Sequence, residues 1–357
     1  MYSESDLQAA VDAKVMTPEA VAAFRNHIAS VRAAPGADEE SFRLITGFND
    51  IFVSIAAVIL LVAVGWIGQS IHPALAGIGV AATAWGLAEY FTRQRRMALP
   101  SIVLVLAFAA GVFGSMVGFL VKHGEAIFGN HPAEATMAIV AAGMALVTAG
   151  ATWFHWKRFM VPITVAAGSA ALAGTAVALV LAVIGGSEPP VNLFMTLVLV
   201  AGLGIFALAM WWDRSDRVRQ TRRSDVAFWL HLLAAPMIAH PIFHLLGVTQ
   251  GNDIGSAAAV MVIAIYIAFG LIALAIDRRA LLVSALAYVL FALTQLFQTF
   301  GAVELNVALT AFVIGSALLL LSAFWQNARS VVVGFLPTGL ADQLPATVRP
   351  VSPIPAS

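Results

Sequence analysis

Ten runs of roughly 20 mainly apolar residues follow one another along the chain, each closed by a short polar segment. They cover residues 50–68, 73–91, 100–121, 135–154, 160–184, 193–212, 226–246, 256–276, 281–300 and 306–325. A helix rising 1.5 Å per residue needs roughly 20 apolar residues to cross about 30 Å of hydrocarbon. Each run therefore predicts a membrane-spanning helix. No stretch alternates apolar and polar with period two, so a β-barrel is not indicated. The expected fold is all-α: a polytopic transmembrane helical bundle of about ten spans.

The basic residues thread these spans. With the N-terminus taken as cytoplasmic, the inside segments carry Lys14, Arg25, Arg32 and Arg43; Arg93, Arg95 and Arg96; Lys157 and Arg158; Arg214, Arg217, Arg219, Arg222 and Arg223; Arg278 and Arg279; and Arg329 and Arg349. Lys122 alone falls outside, while the outer loops hold Glu125, Glu134, Glu188, Asp253 and Glu304. The runs were delimited by hydropathy, so this positive-inside bias is an independent argument for an even number of spans with both termini cytoplasmic. The expected location is a bacterial inner (plasma) membrane, multi-pass. Residues 1–48 lack a basic region followed by an apolar one, so no cleavable signal peptide is expected.

Composition agrees and removes whole classes of function. The 357 residues are 61% hydrophobic and only 11% charged, with a mean hydropathy of +0.91. Soluble domains run near 45–50% apolar and about 25% charged. Zero net charge gives no reason to expect a nucleic-acid partner. The absence of cysteine removes disulfides, thiolate metal sites and cysteine nucleophiles. There is no phosphate loop, dinucleotide fingerprint or Gly-x-Ser-x-Gly elbow, so nothing points to an enzyme and no cofactor is expected.

Three regions follow: 1–48, an amphipathic helical pair and linker; 49–326, the transmembrane domain; and 327–357, an interfacial and Pro-rich tail. In the first helix of the pair Leu7, Ala10, Val11 and Lys14 share a face, with Ser5 and Gln8 spaced as a capping box. The second opens Thr17-Pro18-Glu19, where Thr is a good N-cap, Pro suits the first helical position and Glu faces the positive end of the dipole. Val21, Phe24 and Ile28 form its apolar face, and residues 30–41 read as a linker. The pair is either a packing cap or a docking module for a cytoplasmic protein. The inside turns also repeat one layout, a basic pair followed within a few residues by a new span. Pro100 and Pro162 recur at that distance, which suggests tandem helical hairpins.

Ionisable residues at membrane depth are costly and therefore candidates for function. Asp50 opens helix 1, where it can cap free N–H groups. Glu89 ends helix 2 four residues before Arg93, spaced for a local ion pair; His155 is placed to share a polar pocket with both acids. Helix 7, FWLHLLAAPMIAHPIFHLLG, holds His231, His240 and His244 with Pro236 and Pro241. Each proline removes a helical N–H, so the freed carbonyls need partners inside the protein. His240 and His244 share a face, whereas His231 lies about 180° away on a straight helix. Gln295 and Gln298 share a face of helix 9 at the same depth, with Thr294 and Thr299 beside them, which predicts a polar cavity between helices 7 and 9 unless the groups simply bond across the helices. The histidines read as structural or cavity-lining, as a proton or substrate site, or as metal or haem ligands. Metal would need a third ligand, from His72, Asp253 or Glu304, and no metal site is assigned. Small residues at four-residue spacing, Ala166, Ala170 and Gly174, point to close packing of helix 5.

The segments DLQAAVDAKVMTPEAVAAF, GFNDIFVSIAAVILL, WGLAEYFTRQRRMALPSIV, FWLHLLAAPMIAHPIF and FWQNARSVVVGFLPTGLADQLP resemble an uncharacterised family of bacterial polytopic inner-membrane proteins with a short amphipathic N-terminal domain of unknown function. The resemblance implies the architecture and the location and carries over no catalytic residues. The residues themselves point to a transporter-like protein for a small or lipid-like substrate, with His231, His240, His244, Gln295, Gln298, Asp50 and Glu89 on the pathway. The alternative is a non-catalytic scaffold or sensor acting through residues 1–48.

Overall fold

The computed structural model describes residues 10–24, 48–184, 191–217, 219, 221–248, 256–299 and 306–345, with Ser256, Gln295, Gln298, Thr299 and Asn306 described in their backbone only. Every regular element among the described residues is helical. The chain divides into two units, the larger spanning Leu44–Thr347.

In the smaller unit a turn of helix over residues 10–12 ends at Lys14, whose φ of 56° is left-handed, and the Val15 N–H returns to the Ala10 carbonyl at 2.9 Å. A second helix over residues 18–24 starts as its sequence predicts: the Ala20 N–H donates to Thr17 Oγ1 at 3.1 Å, and Pro18 takes the first helical position. Backbone N–H donation and the Thr17 hydroxyl hold Glu19 below the usual carboxylate range. Val21 is 2% exposed. Ser5, Leu7, Gln8, Ile28 and the linker 30–41 lie outside the described residues.

The larger unit holds α1 (Phe48–Ile71), α2 (Pro73–Ala88, continued by a π-helical turn, Glu89–Gln94), α3 (Ala98–Phe128), α4 (Glu134–Phe159), α5 (Ile163–Ile184), α6 (Val191–Arg214), α7 (Arg222–Leu245), α8 (Ser256–Ile276), α9 (Ala280–Thr299), α10 (Asn306–Ala323), α11 (Trp325–Gly334) and α12 (Thr338–Ala341). Each of the ten apolar runs falls on one helix, α1 to α10. By length and composition α1 to α8 can each cross a membrane. In α9 the described apolar stretch is Ala280–Thr294, up to Gln295, whose side chain lies outside the described residues. Residues 307–323 of α10 bend by 77° into α11, and together the two make a ninth candidate. Among the described residues eight helices, or nine with the bent α10–α11 pair, have spanning character, as in a multi-pass helical membrane protein.

Four hairpins dominate the packing: α2 with α3, α4 with α5, α6 with α7, and α8 with α9. Each closes at a basic turn, and each turn contains one non-glycine residue in the left-handed region: Arg96 (φ 53°), Met160 (54°), Arg219 (57°) and Asp277 (57°). Met97, Val161 and Arg278, which follow three of them, are all buried. The recurrence of one turn geometry matches the repeated hairpin layout read from the sequence. The second helices α3, α5, α7 and α9 touch in succession, so α7 lies in an inner row. It is the most enclosed of the eight, with 56% of its apolar window buried against 33% or less elsewhere.

Small residues set the spacing. A Cβ on Gly77 of α2 would lie 2.2 Å from the Ser115 backbone nitrogen and 2.5 Å from the Gly111 carbonyl of α3, so these backbones are in direct contact. Lipid tails are as apolar as leucine, so close backbone packing replaces the hydrophobic effect as the force between helices. In the α4–α5 hairpin Ala166 is buried and Gly174 faces Ala145. The outward faces are apolar: Phe52, Ile55, Ile59, Val62 and Trp66 of α1 are all exposed, a continuous belt that a soluble monomer would not carry.

Replacing Gly77 by Val should loosen the α2–α3 hairpin and cost about 1–3 kcal/mol through overpacking. Gly86→Ala, where a Cβ meets nothing within 4 Å, should be neutral or slightly stabilising. Thermal unfolding of both variants in detergent checks the contrast.

Candidate functional site

Where the basic turns gather, the ends of α6, α7 and α8 enclose a charged cluster. The chain reaches it through WWDRSDR and LAIDRRALL, in which an acid closes each apolar run just before arginines. Asp213, in the last turn of α6, is 1% exposed. Its Oδ2 accepts from His231 Nε2 of α7 at 2.9 Å, and its Oδ1 accepts from Arg278 Nη2 at 2.8 Å. The same Nη2 donates to the Ser224 carbonyl at 3.1 Å, and the Arg278 guanidinium lies over the Phe228 ring. His231 is itself 3% exposed and packs against the Phe206 ring. One carboxylate therefore ties together α6, α7 and the α8–α9 turn.

A second carboxylate, Asp277, extends the cluster. It accepts from Arg219 Nη1 at 2.7 Å and from Trp325 Nε1 of α11 at 2.7 Å, and Arg329 Nε stands 3.8 Å from it. Arg219 Nη2 also donates to the carbonyls of Ile276 and Asp277. Burial pushes the Arg219 guanidinium below its ordinary value and nearby Arg278 adds to this, while Asp277 pulls it back. The chain beyond α11 is fastened to the same end: Arg329 Nη2 donates to the Pro345 carbonyl, Arg217 Nε to that of Leu344, and Arg214 Nη1 to Gln343 Oε1. Two carboxylates thus face three buried guanidinium groups.

At the opposite end of α7, His240 Nδ1 and the Tyr288 hydroxyl of α9 share a hydrogen bond at 2.5 Å. Tyr288 stacks on Phe243 with ring centroids 4.4 Å apart, and His240 and His244 rings are 6.3 Å apart on their shared face. The rest of the α7–α9 contact is apolar, with Ala234, Ala235, Ile238 and Ala239 of α7 in one cluster with Leu281, Ala285 and Ala292 of α9. These described side chains form a packed apolar seam beside the His240–Tyr288 hydrogen bond; the expected polar cavity belongs to Gln295 and Gln298 and so falls outside the described side chains. Thr294 turns instead to α10, with its hydroxyl 3.3 Å from that of Thr310. The side chains of Gln295, Gln298 and Thr299 lie outside the described residues, as do Asp253 and Glu304.

Helix α7 runs unbroken through both prolines. Pro241 leaves the Met237 carbonyl without its usual donor, and Gly202 of α6 lies against it: a Cβ there would be 2.9 Å from that carbonyl. The sequence places α7 inside the protein for this reason, and α6 packs directly over that carbonyl.

Glu89 holds the expected pair with Arg93 at 3.3 Å and also a two-pronged one with Arg158 of α4 at 2.7 and 2.9 Å. Asp50 is buried in the first turn of α1, where its carbonyl accepts from the Ser54 hydroxyl at 2.7 Å. His155 is 1% exposed, and the neighbours of its ring are Trp85, Phe108 and Phe159 rather than the two acids. Neither of its ring nitrogens has a hydrogen-bond partner among the described residues.

Sequence reading singled out His231 but not its partners. Arg278 enters the sequence reading only as a topology signal, and Asp213 and Asp277 do not enter it at all. Among the described residues no three histidine or acidic side chains converge as a metal site. Comparison with models of known families, with curated proteins and with solved structures finds no match to this chain. The fold and its apolar surface define the class, a multi-pass membrane protein, and the site speaks through its own geometry.

Asp213→Asn and Arg278→Met should each cost about 3–5 kcal/mol, because each leaves a buried charge without its partner. The double variant should lose less than the sum of the two. Glu89→Gln, breaking a half-exposed pair, should cost far less. Unfolding measured on the purified variants distinguishes these cases.

Proposed function

We propose that this protein is a bacterial inner-membrane protein of ten spans with both ends in the cytoplasm, transporter-like for a small or lipid-like substrate. The observation that carries the proposal is the composition of α7. It is the most enclosed helix, and it bears a charge-compensated histidine at its basic end and a pair of histidines at the other. Between these stations lie Pro236 and three alanines, Ala234, Ala235 and Ala239, which offer α6 and α9 a smooth surface. His231 with Asp213 and Arg278 forms the cytoplasmic station; His240 and His244, with Tyr288, form the outer one, to which Gln295 and Gln298 belong on sequence grounds. Asp50 and Glu89 line the cytoplasmic approach from the other hairpins. Histidine is the side chain that changes charge near neutral pH, so turnover should depend on pH there.

The test is uptake by proteoliposomes, with panels of radiolabelled solutes and short-chain fluorescent phospholipids as probes. One probe should move in a protein- and pH-dependent manner, and H240Q/H244Q should lower its rate at least about tenfold, the change expected when roughly 1.4 kcal/mol of interaction is lost. Uptake unaffected by the double substitution would remove the histidines from the mechanism.

A second reading is a scaffold or sensor with a cytoplasmic protein partner on residues 1–48. It is supported by the self-contained character of the N-terminal unit, whose capped helix buries Val21. Deleting residues 1–40 should then release a co-purifying protein while the rest of the chain keeps its unfolding temperature; unchanged co-purification counts against it.

A further inference from the structure

At the end of the hairpins away from the basic turns, a single residue, His72, separates α1 from α2. Its Nδ1 accepts from the Ala74 N–H at 3.1 Å and so caps α2. Its Nε2 lies 3.2 Å from Nε2 of His123, near the end of α3, with the two rings stacked 5.3 Å apart. The cap fixes the protons. A ring whose Nδ1 accepts carries its hydrogen on Nε2, so His72 donates to His123, and His123 carries its own hydrogen on Nδ1. A metal bridging the two Nε2 atoms would first have to displace the proton that the cap keeps there.

From this arrangement we infer that the His72–His123 pair is an acid-released latch holding the α1–α2 turn against α3. Both bonds require neutral rings. A proton added to His123 sets N–H against N–H and two positive rings face to face; a proton added to Nδ1 of His72 removes the acceptor of the α2 cap. The latch is closed while both rings are neutral and is lost when either ring takes up a second proton, so acid opens it. The last turns of α1 and the first turns of α2 contain no titratable side chain besides His72; α3 adds Lys122 and Glu125 of opposite sign, and His131 and Glu134 stand where α4, which packs on α3, begins. Phe119 covers the other face of His123.

The latch also borders an open groove of about 590 Å³ between α1, α2 and α3, lined at this end by Gln69, Pro73, Gly118 and Val121. At this end Gly118 brings the backbone of Pro73 and Ala74 onto α3 and Gly68 brings α1 onto Leu75 and Ala76; like charge on two protonated rings opposes that packing, and release of the turn widens the groove. The proposal is independent of α7 and of transport.

The chain has no cysteine, so two can be introduced as unique spin-label sites in the full-length protein in nanodiscs. Ser70→Cys and Ile127→Cys lie on exposed positions either side of the pair. Pulsed electron-spin distances between them should form one narrow population at pH 8 and acquire a longer one at pH 5. In the doubly labelled H72N/H123Q protein, Asn keeps a capping side chain and neither side chain titrates, so the distribution should be the same at both pH values. An unchanged wild-type distribution from pH 8 to pH 5 would overturn the proposal. So would a full pH response in H72N/H123Q.

Discussion

A charge taken out of water must bring its counter-charge with it, because an isolated ion in a low-dielectric interior costs several kcal/mol even after relaxation. Asp213 and Asp277 meet that demand together. One accepts from α7 and from the α8–α9 turn; the other accepts from the α6–α7 turn and from α11. The two bond sets form together only when all four pieces are in register. The cluster therefore decides how the third and fourth hairpins sit on each other and where the chain beyond α10 is held. Its cost explains why so few charges occur inside the protein and why those present are shared among several partners.

The same physics shapes the uncharged parts. Without water, helix–helix association rests on contact distance, so glycines and alanines stand where backbones touch, at Gly77 against α3 and Gly202 against α7. Gly202 does a second thing there: it lets α6 approach the carbonyl that Pro241 strands. Larger side chains are turned outward, where lipid takes them without penalty. The first two hairpins have their own smaller version of the ionic tie, Glu89 with Arg158, between α2 and α4. Two pairs of hairpins, each with an acid on its leading helix held by an arginine from the next hairpin or its turn, are the recurring unit of the structure.

Polar groups that hold the fold and polar groups free to act are separated along α7. His231 is enclosed and committed to Asp213. His240 is exposed and bonded to one phenol, beside an apolar seam. His231 meets Asp213 through Nε2 alone, and its buried Nδ1 has no hydrogen-bond partner among the described residues.

The amino-acid sequence by itself determined the helices, because hydropathy over 20 residues is additive and local: every apolar run lies on a helix, and the Thr17 cap and the Glu89–Arg93 pair are nearest-neighbour effects read within a turn. It also marked the basic turns, since a span boundary needs only a cluster of cations. Tertiary structure alone decided which charges are buried. Arg278 in LAIDRRALL looks like any loop arginine, and His155 in TWFHWKRF looks like an interfacial one, until helix rotation brings Asp213 to the first and three aromatic rings to the second. The His72–His123 bond joins positions 51 residues apart, a separation no local pattern encodes. Pairing depends on which face each helix turns to its neighbour, and that is set by the sum of backbone contacts along whole hairpins rather than by the residues that end up paired.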